Sequence, residues 1–356
     1  MGEEKEVQKK ILQIGQTQNK VSEEEFFNIL KTVAPGTNLR NALDGTLKVG
    51  KGALIVVENE KLIPLIDGGF RINCRFTHQR LIELTKMDGA IVLSRDMKKI
   101  NYANVQLVPD SRIKTAETGT RHKSAERTAK QAENLVIAIS ERRHEINIYY
   151  KNIKYHLKQT DEILRKANLN ISLIEKQRES FDKNIEKLNR LEIRNYPSFY
   201  QAVLAMQKGR LIQKITEEVK KYIVELGTEG TTIKTRLKEL IAGVDKEVNF
   251  IIKDYTRLDV KKSKMLLESL SYEELLDMDN ITHALAYENN QQVFPIKGWR
   301  ILSKTSLPEV DIAKLLKEKD SLGEVIHTNA KTYLEIIGEN KAKTLKEEIE
   351  KIKLNY

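Results

Sequence analysis

With 356 residues, 40% of them hydrophobic and 31% charged, the chain exceeds one ordinary core, and two or three domains are expected. Its 61 Lys and Arg against 51 Asp and Glu leave a formal net charge of +10, which favours polyanionic partners such as nucleic acid, nucleotides or acidic lipid surfaces. The single cysteine, Cys74, excludes an intrachain disulfide and a cysteine-built zinc cluster; the histidines lack metal-ligand spacing, and no apolar run approaches membrane-spanning length, so a soluble, cytoplasmic protein with no membrane partner is expected.

Residues 1–20 are polar and are expected to be frayed or loosely helical. The spacing of Phe26, Phe27, Leu30 and Val33 predicts an amphipathic helix over 22–33, opened by Ser22 with acids in its first turn. Pro35-Gly36 is a turn. Gly45-Thr46-Leu47-Lys48-Val49-Gly50-Lys51-Gly52 nearly spells a Walker A loop, but its last position lacks the Ser or Thr that holds magnesium. An apolar strand over 53–57 follows where a helix should, so the glycines are read as a turn. Short apolar runs at 62–66, 90–93, 100–108, 135–139 and 145–150 read as strands, with helices at about 78–85 and 125–134. Lys151-Asn152 turns a hairpin into 153–157. Residues 1–158 therefore read as one α/β domain with a mixed sheet.

From about 159 the texture becomes charged helix with sparse glycine. Leu164, Ala167, Ile171, Ile174, Phe181, Ile185 and Leu188 fall on one stripe, interrupted at Arg178, and Tyr196-Pro197-Ser198 breaks the helix. Further helices continue through a 227–230 turn to 255, which gives an all-α domain over 159–290 suited to spacing and assembly. The stretch 292–302, with Phe294, Pro295, Gly298 and Trp299, reads as the entry to a third, small all-α domain over 291–356. Short helices at 313–319 and 321–329 precede a segment from Tyr333 to Leu345 that resembles a helix-hairpin-helix. In that motif a glycine turn lets backbone N–H groups meet a DNA phosphate. Gly338 is the turn here, Lys341, Lys343 and Lys346 are the candidate phosphate contacts, and Ile336 replaces the first glycine of the pattern.

The stretch with the most chemistry is Thr118-Gly119-Thr120-Arg121-His122-Lys123-Ser124, which runs into a helix. A glycine turn that empties into a helix start offers free N–H groups and the positive end of the helix dipole, here beside cations and hydroxyls. Upstream, Lys86-Met87-Asp88-Gly89-Ala90 places a carboxylate on a glycine turn before a strand. A phosphate cradle and a carboxylate in one domain are the minimum for metal-assisted nucleotide chemistry.

The pair Asp88-Gly89-Ala90 and Gly119-Thr120-Arg121-His122-Lys123-Ser124-Ala125-Glu126-Arg127 resembles the DGA and RHR motifs of diadenylate cyclases. Supporting stretches are Val33-Ala34-Pro35-Gly36-Thr37, Ile66-Asp67-Gly68-Gly69-Phe70, Tyr102-Ala103-Asn104-Val105-Gln106-Leu107 and Ile137-Ala138-Ile139-Ser140-Glu141-Arg142-Arg143. The resemblance runs from about residue 21 to the C-terminus and is strongest before residue 160. It implies helices flanking the sheet and the condensation of two ATP into cyclic di-AMP with Mg2+ or Mn2+. Asp88 would then serve the metal and the 3′-hydroxyl, Gly89 would let the backbone approach the ribose, and Ala90 would belong to the same ATP-binding set. Thr120, Arg121, His122, Lys123 and Ser124 would hold phosphates, Leu107 would read adenine through its main chain, and Ser140 would lie near the nucleotide. Asp88, Arg121 and His122 would be the catalytic set. Lys123 stands where the family motif has arginine. The resemblance also implies a homo-octamer that samples DNA, probed through branched or damaged structures. The rival reading is a non-enzymatic DNA-binding scaffold with a decayed nucleotide domain, against which the retention of Asp88, Arg121 and His122 argues.

Overall fold

The computed structural model describes residues 22–289, 295–319, 321–327, 333 and 336–355. The expectation for 1–20, the first residues of the 292–302 stretch, the end of the 321–329 helix and most of 331–335 lie outside the described residues. The chain divides into two compact units, one of Met1–Lys166 with Lys221–Thr232 and one of Ala167–Lys220 with Ile233–Tyr356.

In the first unit β1 (Ala53–Val57), β2 (Ile66–Asp67), β3 (Phe70–Arg75), β4 (Ala90–Leu93), β5 (Lys99–Leu107), β6 (Leu135–Ser140), β7 (Glu145–Tyr150) and β8 (Ile153–Leu157) form a mixed sheet. The strand order is β2-β5-β4-β1-β6-β7-β8, with β3 also paired to β5. β1 lies parallel to β4 and antiparallel to β6. Side chains alternate between faces along each strand. Ile55, Ile91, Leu93, Ile137 and Ile139 therefore meet α1 (Glu23–Thr32), α2 (Asn38–Lys48) and α3 (His78–Leu84) through Ile29, Leu39, Leu43 and Leu81. Leu54, Val56, Val92, Val136 and Ala138 meet α4 (Thr120–Ala132) on the opposite side. The helix presents Ala125, Ala129 and Ala132 to the sheet, all fully buried, so its axis can come close.

Several local expectations change. Gly45 lies within α2, where a β-carbon would come 2.3 Å from Ile82 Cδ1, so it serves helix packing and not a turn. Gly50 does turn, at φ +70°. The 62–66 run is mostly a short 3₁₀ turn over Ile63–Leu65, because Pro64 has no N–H for a ladder. The 125–134 helix starts five residues earlier, at Thr120.

In the second unit α5 (Thr160–Ile193), which begins in the first, continues beside α6 (Phe199–Leu226), α7 (Thr231–Leu240), α8 (Val244–Tyr255), α9 (Val260–Ser269), α10 (Met278–Ala284), α11 (Trp299–Leu302), α12 (Glu309–Glu318), α13 (Leu322–His327) and α14 (Glu339–Asn355). On α5 Ala167, Ile171, Ile174, Phe181 and Leu188 are buried as expected. Ile163 takes the place of Leu164, which is half-buried together with Ile185. Arg178 interrupts the stripe because its guanidinium donates to Leu240 O at 2.9 Å and Ala242 O at 2.7 Å, carbonyls left over where α7 ends.

Residues 298–302 are locked into this unit. Asp254, buried, accepts N–H bonds from Gly298, Trp299 and Arg300 at 3.0, 2.8 and 2.9 Å, acting as a remote cap for α11. Arg300 is fully buried and pairs with Glu192, which also accepts from Tyr255 Oη at 2.8 Å. Burial and the Glu192 charge push Asp254 up to about 7 against those backbone bonds.

Candidate active site

The residues of the phosphate cradle form the first turn of α4. Its N-cap is Gly119, which offers no side-chain cap, so the leading N–H groups of the helix are left for another acceptor. The opposite end is anchored by Asn59, whose amide donates to Ala132 O at 2.6 Å, and by Glu133 in the left-handed region. The preceding loop is tied down by Arg127 Nε to Ile113 O at 2.9 Å and Lys130 Nζ to Lys114 O at 2.9 Å. The helix start is thus held from its own far turns.

A cleft of about 740 Å³ opens at this helix start, within the ~300–1,000 Å³ of small-molecule sites. Gly89, Ala90, Leu107, Thr120, Arg121, His122, Ser124 and Ser140 line it together, although they come from three strand ends and a helix. Gly89 has φ +82°, and a β-carbon there would lie 2.8–2.9 Å from the Asn104 and Val105 backbone. Only glycine allows that turn to lie against β5. Ser124 Oγ lies 3.5 Å from Leu107 O. Asp88 is exposed, one residue before the wall, and Lys123 is half-buried; neither lines the cleft.

Sequence reasoning missed a floor to the arginine. A β-carbon on Gly52 would fall 2.0 Å from Arg121 Nη1 and 2.8 Å from its Cζ, so the guanidinium lies over that glycine. Gly52 closes a near-Walker spelling, and no sequence signal links it to Arg121. Leu54, Val105, Gln106, Glu141 and Arg142 complete the walls.

Behind the cleft His122 Nδ1 is 2.9 Å from Tyr149 Oη, which donates to Glu117 Oε1 at 2.9 Å, and Lys154 Nζ is 2.5 Å from the same carboxylate oxygen. Burial lowers the His122 pKa from its ordinary value, with the cations Lys154, Arg121 and Arg143 acting in the same direction and Glu117 opposing. Burial works against the Glu117 charge, but the hydrogen bonds from Lys154 and Tyr149 outweigh it and hold this carboxyl below its usual range. Burial raises the Tyr149 phenol far above normal, so it remains protonated.

In the second unit Gly338 has φ +83° with open space where a β-carbon would stand, and its carbonyl receives Ala342 N at 3.0 Å as α14 begins. Lys341 pairs with Asp311 at 2.6 Å and Lys343 with Glu339 at 2.9 Å, while Lys346 is exposed. The helix that should precede the turn falls largely outside the described residues.

An uncapped helix start and a glycine turn that open into one cleft at the ends of inner strands of a mixed sheet make the first unit an α/β domain with an anion-accepting site. Family profiles agree: residues 40–153 match the one described as DisA bacterial checkpoint controller nucleotide-binding, and residues 157–294 match the DisA bacterial checkpoint controller linker region. The DNA integrity scanning protein DisA of Acetivibrio thermocellus is 41% identical over 325 residues, spanning 89% of this chain and 90% of that one. The protein of the same name from Carboxydothermus hydrogenoformans is 40% identical over 345 residues, spanning 94% and 98%. Among solved structures, a double mutant of DacA from Staphylococcus aureus aligns with 41% of this chain and 95% of its own at 22% identity and a TM-score of 0.30. The chain belongs to the DisA family. No helix among the described residues is long and apolar enough to cross a membrane.

Proposed function

We propose that the protein is a diadenylate cyclase that condenses two ATP into cyclic di-AMP and two pyrophosphates, with activity linked to the sensing of branched or damaged DNA. The observation that carries this reading is the uncapped start of α4, with Arg121 lying over Gly52, opening into the same cleft as the Gly89 turn. Each 3′-hydroxyl attacks the α-phosphate of the other nucleotide in line with departing pyrophosphate. The N–H groups of Thr120, Arg121 and His122, the Arg121 guanidinium and the Ser124 hydroxyl hold the triphosphate and offset charge gathering on the transferred phosphorus. The Gly89 turn, seated against β5, brings its backbone to the ribose, the Leu107 carbonyl faces adenine, and Ser140 closes the nucleotide's edge.

Among the described residues no three His, Cys, Asp or Glu side chains converge as a metal site. One exposed carboxylate beside the glycine turn suits a hard divalent cation that keeps its water and arrives with phosphates, so Asp88 fits Mg2+ or Mn2+. Bound there, the cation would supply positive charge to the reacting phosphate.

The product is two-fold symmetric, so two such clefts must face one another and a monomer is inert. Higher assembly, an octamer with the helical units as its spine, extends the same reading. DNA contact is supported by the net charge of +10, by the names of the relatives and by the Gly338 turn with Lys341, Lys343 and Lys346. Incubation of purified protein with ATP and Mg2+ or Mn2+, with the product identified by mass, tests the reaction; specific activity should fall on dilution. Bound ATP with no cyclic dinucleotide, or undiminished activity from a demonstrable monomer, would overturn the reading.

A further inference from the structure

The buried chain behind His122 fixes more than its position. Glu117 is ionised, so it can only accept, and the single hydroxyl hydrogen of Tyr149 goes to it at 2.9 Å. The Tyr149 oxygen must then accept from His122, which places a hydrogen on Nδ1 at 2.9 Å. A neutral imidazole carries one ring hydrogen, so Nε2 is left as a bare lone pair. His122 lines the cleft, and among the described residues no group bonds Nε2. Burial favours the neutral ring.

The lone pair of Nε2, on the ring edge away from Tyr149, decides what His122 can meet from the cleft it lines. An ionised triphosphate carries no hydrogen to donate and would be repelled. A ribose hydroxyl is the complementary group, and in the cyclase reaction the 3′-hydroxyl is the one that must lose its proton. Resting on the cyclase reading, we infer that His122 Nε2 accepts the proton of the attacking 3′-hydroxyl, and that Tyr149 and Glu117 are positioning residues that hold it in the Nδ1–H tautomer. In the step, the O3′–Pα bond forms as the bond from Pα to the bridging oxygen breaks. Pyrophosphate leaves with that electron pair, and the hydroxyl proton moves to Nε2, from which it is lost to solvent before the next turnover. The assignment differs from a phosphate-gripping histidine, which would need the imidazolium form. Arg121 and the helix start supply the grip.

Three measurements test this. The ¹⁵N spectrum of histidine-labelled protein reads the tautomer without any activity, and hydrogen on Nδ1 of His122 at neutral pH is expected. Tyr149→Phe keeps the ring and its packing but frees the tautomer. General-base catalysis contributes ~10²–10⁴-fold, so kcat for cyclic di-AMP should fall at least about tenfold, with KM for ATP changed less than about twofold. Glu117→Gln keeps an oxygen acceptor for Tyr149 and removes a negative charge. Among the groups facing His122, namely Glu117, Lys154, Arg121, Arg143 and Tyr149, Glu117 is the one whose charge raises its pKa. The acid limb of the kcat profile should therefore move to lower pH, a shift that a purely structural role would not produce. Hydrogen on Nε2, an unmoved acid limb, or a Tyr149→Phe protein with wild-type kcat would each overturn the assignment. A wild-type protein that binds ATP but makes no cyclic di-AMP would overturn the cyclase reading and the base role with it, while the spectrum separately decides the tautomer.

Discussion

Gly52→Ala is the sharpest perturbation of the cleft, because the new methyl group would occupy the place of the Arg121 guanidinium. The β-carbon would stand 2.0 Å from Nη1 and 2.8 Å from Cζ, whereas its nearest backbone contact, Ile139 O, is at 3.1 Å. The exposed end of a flexible arginine moves more easily than a strand, so the arginine is displaced and β1 stays. Tight contact with Ile139 O costs about 1 kcal/mol, and the lower chain entropy of alanine in the unfolded state returns ~0.4–1 kcal/mol, so stability is nearly unchanged. What is lost is the aim of a charge-assisted bond to phosphate, worth ~1.5–3 kcal/mol, or about 10- to 150-fold in rate at 1.36 kcal/mol per tenfold. The assay is steady-state formation of cyclic di-AMP beside a thermal melt, with Arg121→Ala for comparison. Gly52→Ala should fall into that range and approach Arg121→Ala while melting with the wild type. Cyclisation within about twofold of wild type would refute the claim that Gly52 seats Arg121.

Asp88→Asn should cut the rate more than tenfold, about 1.4 kcal/mol of barrier, with ATP binding and the melt preserved, since its side chain is exposed and supports no core. Lys123→Ala should stay within about fivefold of wild type in kcat/KM, because the lysine lies off the cleft wall. Arg300→Met should leave Glu192 buried without its cation and destabilise the second unit by about 3–5 kcal/mol, read as an earlier denaturation midpoint in the fluorescence of Trp299, the only tryptophan. Replacing Lys341, Lys343 and Lys346 together with alanine should weaken branched-DNA binding and flatten its salt dependence while basal cyclase turnover persists; unchanged affinity would place the DNA surface elsewhere.

The sequence alone carried the alternation of strands and helices, the hairpin at Lys151-Asn152 and the two motifs that meet in the cleft, because periodicity and glycine turns are local and short in range. It missed α2, whose single buried side carries a glycine that looks like a breaker until Ile82 is seen packed against it. It also missed β3, a mostly exposed strand, and misplaced the 62–66 strand that Pro64 turns into a 3₁₀ step. Asp88 and Lys123 share their motifs with residues of the wall, yet neither lines the cleft. Sequence separation also hid the contacts that tune the site. Gly52 and Arg121 meet because β1 begins beside the start of α4, and Glu117, Tyr149 and Lys154 converge on His122 from a loop and two strands. Those contacts depend on which strand ends and helix starts the sheet order brings together, and only the tertiary structure fixes that order.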